Sequence, residues 1–384
     1  MAFVRTNLRL PAAILAAAVI IGATLALTLR DGDEGPAEPE RQGSAGAANG
    51  ATGKTTGPNG TGARAYPLPI DGPLLGVNLT AYSADGYSRP DVEEDMATLA
   101  GLGTTAVTLV PTWYMRGPDA DRIGPDDGKS PTDESLARAI DWARDNGLRV
   151  VIKPHVDVLD ESYRGEIRPR DREAWFRSYR GFIDHYAELA SSGGADMLVV
   201  GTELKSMSSE TDRWRRVIEG ARARFGGPLT YAANWDEAES IQFWDALDAI
   251  GVDAYYPLTD EGERPTPKRL LTAWREIAAG LRALSERWGR PVILTEVGYP
   301  SQAGATTTPF EVTDGPADQR LQALAYRTVF RALRDAGWLQ GISWWSWRAD
   351  PSPEEKPDVD YSPEGKQAQG ELARGQTLYA GSGS

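Results

Sequence analysis

Met197-Leu198-Val199-Val200-Gly201-Thr202-Glu203-Leu204 is an apolar run that breaks on an acid. It is short for a helix, and an amphipathic stretch, Thr211–Arg224, follows it. A strand buried on both faces reads this way, because neither side of the pleat needs polar residues. Seven more runs of the same kind lie along the chain: Leu74–Tyr82, Thr105–Tyr114, Arg149–Asp157, Leu229–Trp235, Ala249–Tyr256, Pro291–Tyr299 and Gly341–Trp347. Helical periodicity fills most of the gaps, over Asp91–Leu102, Asp133–Asn146, Arg172–Ser191, Pro267–Trp288 and Pro316–Ala336. Glu237–Leu247 is shorter but still helix-like. Gly103, Gly147, Gly289 and Gly337 stand where helix C-caps are expected. Strand and helix alternating eight times predict an α/β fold, the (β/α)8 TIM barrel. An open doubly wound sheet would place a glycine-rich turn after its first strand. Gly76-Val77-Asn78-Leu79-Thr80 carries none.

Upstream the composition changes twice. Leu10 to Leu29 is free of charge, with Arg5 and Arg9 before it and Asp31, Asp33 and Glu34 after it. At about 1.5 Å per residue such a run crosses a roughly 30 Å hydrocarbon core. The flanking charges keep the N-terminus in the cytoplasm. Residues 1–30 therefore read as a signal anchor or as a cleaved signal peptide, although Leu25, Leu27 and Leu29 occupy places where a cleavage site wants small residues. Either reading makes the rest extracytoplasmic, membrane-anchored if the helix stays and secreted if it is cut. Residues 31–65 are rich in Gly, Ala, Thr, Asn and Pro and read as a flexible linker. The catalytic domain is expected over 66–374, with a disordered tail over 375–384.

A net charge of -14 repels phosphate backbones, so nucleic acid is not expected as a partner. A neutral polymer meets no such penalty. The absence of cysteine excludes disulfides, thiolate chemistry and lipid attachment at an N-terminal Cys. With only His155 and His185, a three-histidine metal site is impossible. No metal or cofactor is expected, and the protein is expected to be a monomer.

A barrel of this kind carries its site at the C-terminal strand ends. The runs end, in order, at Asn78; Trp113 and Tyr114; Lys153, His155 and Asp157; Glu203; Asn234, Trp235 and Asp236; Asp253, Tyr255 and Tyr256; Glu296; and Trp344, Trp345 and Trp347. Glu203 and Glu296 each follow an apolar run directly. A buried carboxylate is costly unless it is paired or used. The fourth and seventh strands lie across an eight-stranded mouth from each other. Aromatic residues suit the C–H faces of pyranose rings, and Asn, His and Lys suit their hydroxyls. Paired carboxylates across such a wall are the machinery of glycoside hydrolysis, and their separation decides between retention and inversion. The candidate substrate-binding residues are Asn78, Trp113, Lys153, His155, Asn234, Trp235, Tyr255, Tyr256, Trp345 and Trp347. Strand alternation lets only one residue of the pair Tyr255 and Tyr256 face inward, and sets Trp344 apart from Trp345 and Trp347. Lys153 has a second reading, as the neutraliser of a nearby carboxylate.

On these residues the chain resembles the retaining barrel glycosidases, and more closely the β-mannanases of glycoside hydrolase family 113. The resemblance rests on Gly76-Val77-Asn78, Lys153-Pro154-His155, Gly201-Thr202-Glu203-Leu204, residues 250–258, Thr295-Glu296-Val297-Gly298-Tyr299, Trp344-Trp345-Ser346-Trp347 and residues 361–366, in that order. It implies Glu203 as general acid/base, Glu296 as nucleophile, and mannan, glucomannan or another β-1,4-linked polysaccharide as substrate. It also implies a tyrosine of the sixth strand bonded to the nucleophile and a tryptophan of the eighth strand beneath the cleaved sugar. Many members of the wider clan have Asn before the acid/base, where this chain has Thr202.

Three other readings compete. A non-catalytic carbohydrate-binding barrel would have lost one of the glutamates, and both are present. A transglycosylase acting on wall or capsule glycan would use the same residues. A magnesium site over Asp157, Glu203 and Asp236 would leave Glu296 and the aromatic wall without a role.

Overall fold

The apolar runs become strands because both of their faces are covered. In β1 (Leu74–Thr80) all seven residues are buried. The same holds for the five of β2 (Ala106–Val110) and the six of β6 (Met197–Thr202). With β4 (Arg149–Ile152), β7 (Leu229–Asn234), β8 (Ile250–Asp253), β9 (Val292–Val297) and β10 (Leu339–Arg348) they close a parallel barrel in the order β1-β10-β9-β8-β7-β6-β4-β2. The computed structural model describes residues 68–349 and 358–381. The apolar run Leu10–Leu29, the linker over 31–65 and residues 382–384 lie outside the described residues.

One set of alternating residues fills the barrel. Leu74, Ala106, Val151, Met197, Val199, Ala232, Ala249 and Ile293 pack together, and Leu68 joins them from below. A cavity of about 20 Å³ remains among Thr108, Lys153, Thr295, Ser343 and the apolar residues beneath them. The other set, including Val77, Leu109, Ile152, Leu198, Val252 and Leu294, meets the helices. These are α1 (Pro90–Gly101), α2 (Asp133–Asp145), α3 (Arg172–Gly193), α4 (Thr211–Arg222), α5 (Pro267–Trp288), α6 (Gln319–Leu333) and α7 (Gln367–Gly381). Their starts are chemically marked. Thr132 accepts the Ser135 N–H at 3.1 Å, and Asp171 accepts from Glu173 and Ala174 at 2.9 and 3.0 Å. Gly103, Gly147 and Gly289 are left-handed at φ of 81°, 72° and 63°, as helix-end glycines should be. Gly337 has no positive φ, because α6 stops earlier, at Leu333.

Four expectations need correction. The second and third runs are not single strands. Each is split at a proline, Pro111 and Pro154, and the outer pieces β3 (Thr112–Met115) and β5 (His155–Val158) pair with each other, Thr112 opposite His155. Pro111 has no N–H for the ladder, which interrupts the strands, although Lys153 N–H still donates to Leu109 O at 2.8 Å and His155 N–H to Pro111 O at 2.9 Å. Glu237–Leu247 forms no α-helix; only Trp244–Ala246 makes a 3-10 turn. Buried Ile241, Phe243 and Trp244 hold this link, with Trp244 Nε1 donating to Ala238 O at 3.0 Å. The tail beyond Arg374 is not frayed where it is described. α7 runs on to Gly381, Gln376 is buried beside Thr104, and the Tyr379 ring is buried.

Candidate active site

Glu203 follows β6 with φ of +54°, a left-handed conformation that costs a non-glycine residue about 1–3 kcal/mol. Its surroundings impose this shape. Its own N–H donates to Ala232 O at 2.9 Å, and the Leu204 N–H donates to the Tyr231 hydroxyl at 2.9 Å. Tyr231 in turn donates to buried Glu237 at 3.0 Å. The Glu203 side chain, 12% exposed, meets Arg164 Nη1 through Oε2 at 3.3 Å. Burial first and then the charge of Glu296 push the Glu203 carboxyl up to about 7, against the pull of Arg164 and Lys153. Such a carboxyl holds its proton near neutral pH.

Glu296 reaches the same mouth by an irregularity. Simple alternation would put Thr295 inside and Glu296 among the helices. Instead the ladder slips, Val252 opposing Leu294 but Asp253 opposing Glu296. Such a bulge re-aims side chains. Glu296 Oε2 accepts the Tyr255 hydroxyl at 2.5 Å, and Oε1 accepts the ammonium of Lys153. Lys153 also lies 3.3 Å from Asp253, which accepts Thr295 Oγ1 at 2.7 Å. Lys153 and Asp253 are both fully buried. Burial and the nearby Glu296 raise the Asp253 carboxyl well above its usual range, and Lys153 opposes the shift.

His155 sits beside this cluster, Nε2 3.7 Å from Glu296 Oε1, its ring stacked on Trp345 at 5.9 Å between centroids. Burial and the cations Arg164 and Lys153 hold the imidazole well below its usual range, so it is neutral at pH 7. Its Nε2 is buried without a protein partner among the described residues. Trp345 is half-buried, and Lys153 Nζ lies 5.9 Å from its ring centroid. The Trp345–Ser346 peptide is cis.

Of the residues expected to line the mouth, His155, Tyr255 and Trp345 do so. Asn234 and Trp235 are half-buried at the rim. Asn234 donates to the Tyr163 hydroxyl at 3.0 Å, and the Trp235 ring packs on Tyr256 at 5.5 Å. Five placements differ. Asn78 is wholly buried in the barrel, donating to Thr295 O and Ser343 Oγ, each at 3.0 Å. Lys153 spends its charge on Asp253 and Glu296, as its second reading has it. Trp113 packs on Phe182, His185 and Tyr186 of α3, because alternation sends Tyr114 to the mouth side instead. Tyr256 faces Trp274 of α5. Trp347 is buried and does not share the face of Trp345. Residues 77 and 79 of β1 oppose 344 and 347 of β10, and this extra residue reverses the alternation.

Arg164, Tyr163, Asp253 and Tyr361 complete the site and were not among the expected residues. Tyr361 packs edge-on to Tyr255 at 6.2 Å. Asp253 ends the sixth run and so had a positional signal. Arg164 stands in a loop with none. Asp157 pairs with Arg164, and Asp236 with Lys205 at 2.5 Å. Among the described residues no group of three acids or histidines is arranged to hold a metal ion.

Residues 80–366 match the family model of Glycoside Hydrolase Family 113. Among solved structures, a GH113 β-mannanase from Alicyclobacillus acidocaldarius, in complex with ManMIm, is 28% identical with a TM-score of 0.73. The match covers 81% of this chain and 99% of that one. A second GH113 β-1,4-mannanase, at 23% identity and a TM-score of 0.71 over 80% and 99% of the two chains, shares the fold. So does an endo-β-1,4-mannanase from Thermotoga petrophila, at 13% and 0.54 over 81% and 78%. No curated protein matches significantly in sequence.

Proposed function

The chain belongs to glycoside hydrolase family 113, and on that premise we propose that it is a retaining endo-β-1,4-mannanase with Glu203 as general acid/base and Glu296 as nucleophile. One observation carries the division of roles. The two glutamates share a mouth but have opposite surroundings. Glu203 is pushed toward its protonated form, whereas Glu296 is met by two donors, the Tyr255 hydroxyl and the Lys153 ammonium. A proton donor opposite a hydrogen-bonded carboxylate is what glycoside hydrolysis needs, and the retaining course is proposed from the resemblance to the retaining barrel glycosidases. Glu203 donates a proton to the departing glycosidic oxygen while Glu296 Oε attacks the anomeric carbon. Water then enters, gives its proton to Glu203, and breaks the glycosyl ester. Trp345, stacked on His155, offers a flat face to the sugar.

The test is product release from mannan, glucomannan, xylan, cellulose and chitosan by the wild type, Glu203→Gln and Glu296→Gln. Mannan or glucomannan cleavage is expected, with β-configured first products by proton NMR and a drop of about a thousandfold or more in each variant. An α-configured product would sink retention. Cleavage of a different polymer would sink the mannanase assignment. Products longer than the substrate would mark a transglycosylase, and binding without turnover would mark a carbohydrate-binding barrel.

A further inference from the structure

We infer that Arg164 is a positioning residue that holds Glu203 in place and sets the pH at which it gives up its proton. The inference rests on Glu203 being the acid/base. Arg164 follows β5 in a 3-10 turn, and its side chain is 17% exposed. One edge of its guanidinium is committed elsewhere. Nε donates to Val156 O and to Asp157 Oδ1, each at 3.2 Å, and Nη2 also donates to Asp157 Oδ1. The fork is thereby fixed, and Nη1 is left facing Glu203 Oε2 at 3.3 Å.

The turn and the Glu203 loop are bonded into one unit. The Ser206 N–H donates to Gly165 O at 3.0 Å, and Ser206 Oγ donates to Ile167 O at 2.7 Å. A Cβ on Gly165 would stand 3.1 Å from Glu203 O, so the two backbones are in direct contact. Displacing the turn displaces the glutamate.

The charges around Glu203 come from several elements. Arg164 and Tyr163 face it from the turn, Lys153 from the end of β4, Glu237 from beyond β7, Asp253 from β8, Glu296 from β9 and Tyr361 from beyond β10. The anions and burial favour its proton, and the two cations oppose them. Lys153 is already in contact with Asp253 and Glu296. Arg164 is therefore the cation whose removal changes Glu203 most. The setting matters because Glu203 serves twice, protonated when the glycosidic bond breaks and ionised when water attacks.

The test is the alkaline limb of kcat/KM on a mannan oligosaccharide for wild type, Arg164→Met and Arg164→Lys. Loss of the cation should move the limb up by about one pH unit in Arg164→Met. Arg164→Lys, which keeps the charge and loses the fork, should move it less. A dinitrophenyl glycoside of the same sugar needs no proton on its leaving group, so its profile should lack this limb in all three. An unmoved limb in folded Arg164→Met, with activity merely scaled down, would overturn the inference. So would a limb that moves equally on the dinitrophenyl glycoside. Where Arg164→Met does not fold, Asp157→Asn tests the contact from the other side. It leaves Glu203 as the remaining carboxylate on the guanidinium, so the limb should move down, and a limb that stays or rises would overturn the inference. Full mannan activity in Glu203→Gln would instead remove the reading on which the inference rests.

Discussion

Tyr255 shows how much one hydroxyl can carry in a dry site. Its O–H donates to Glu296 at 2.5 Å, and its ring is buried under Tyr361. A hydrogen bond to a charged group contributes about 1.5–3 kcal/mol, which corresponds to roughly 10–100-fold in rate where the bond acts in the transition state. Tyr255→Phe should lower kcat on mannan oligosaccharides by that factor with the fold intact by circular dichroism; an unchanged kcat would remove Tyr255 from the machinery. At this scale the sequence told part of the story. Glu203 and Glu296 were legible because each closes an apolar run, and position alone named them. Trp347 was not legible. Its face depends on a bulge, and a bulge is a relation between two strands that one strand's residues do not record. Arg164 was invisible for a different reason. It acts from a loop, where no periodicity ties a residue to its neighbours in space.

The helix α7 carries the lesson for elements. Gly370 and Gly375 lower its helical propensity, which is why the chain reads as frayed there. The structure gives Gly375 a purpose. A Cβ at that position would come within 2.0 Å of the Phe330 ring, so the glycine lets α7 lie close on α6. Beyond it, Gln376 and Tyr379 are buried. Deleting residues 375–384 should cost about 2 kcal/mol or more from the Tyr379 ring alone, read as a lower denaturant midpoint. An unchanged midpoint would show that the last turns contribute nothing. Strands split at Pro111 and Pro154 belong to the same lesson. Hydrophobicity runs straight through both prolines, and the register does too, but Pro111 has no N–H to complete the ladder.

Across the whole molecule, several buried acids resist ionisation together. Burial raises Glu203, Glu237 and Asp95 to about 7, and it raises Asp253 well above its usual range. These groups hold protons in the folded chain that the unfolded chain has released. Their contribution to stability is complete below the unfolded values near 4 and is lost as pH rises through about 7. Asp91, Asp245, Glu210 and Glu371 are held low by arginines, so their contribution is lost on the acid side. The melting temperature should therefore peak at mildly acidic pH and decline between about pH 4.5 and 7. A melting temperature that rises over that interval would contradict this balance. The fold class, by contrast, was plain in the sequence, because eight alternations leave a chain few other ways to bury every run.

The barrel floor has a practical meaning. Leu68 packs against the first residues of the strands, Gln376 meets Thr104 just ahead of β2, and the Tyr379 hydroxyl bonds Leu339 O at the start of β10, at 3.4 Å. Both ends of the described chain thus gather on the side opposite Glu203 and Glu296. A bead or fused module attached beside Leu68 or Tyr379 would therefore be joined on the face away from Glu203 and Glu296.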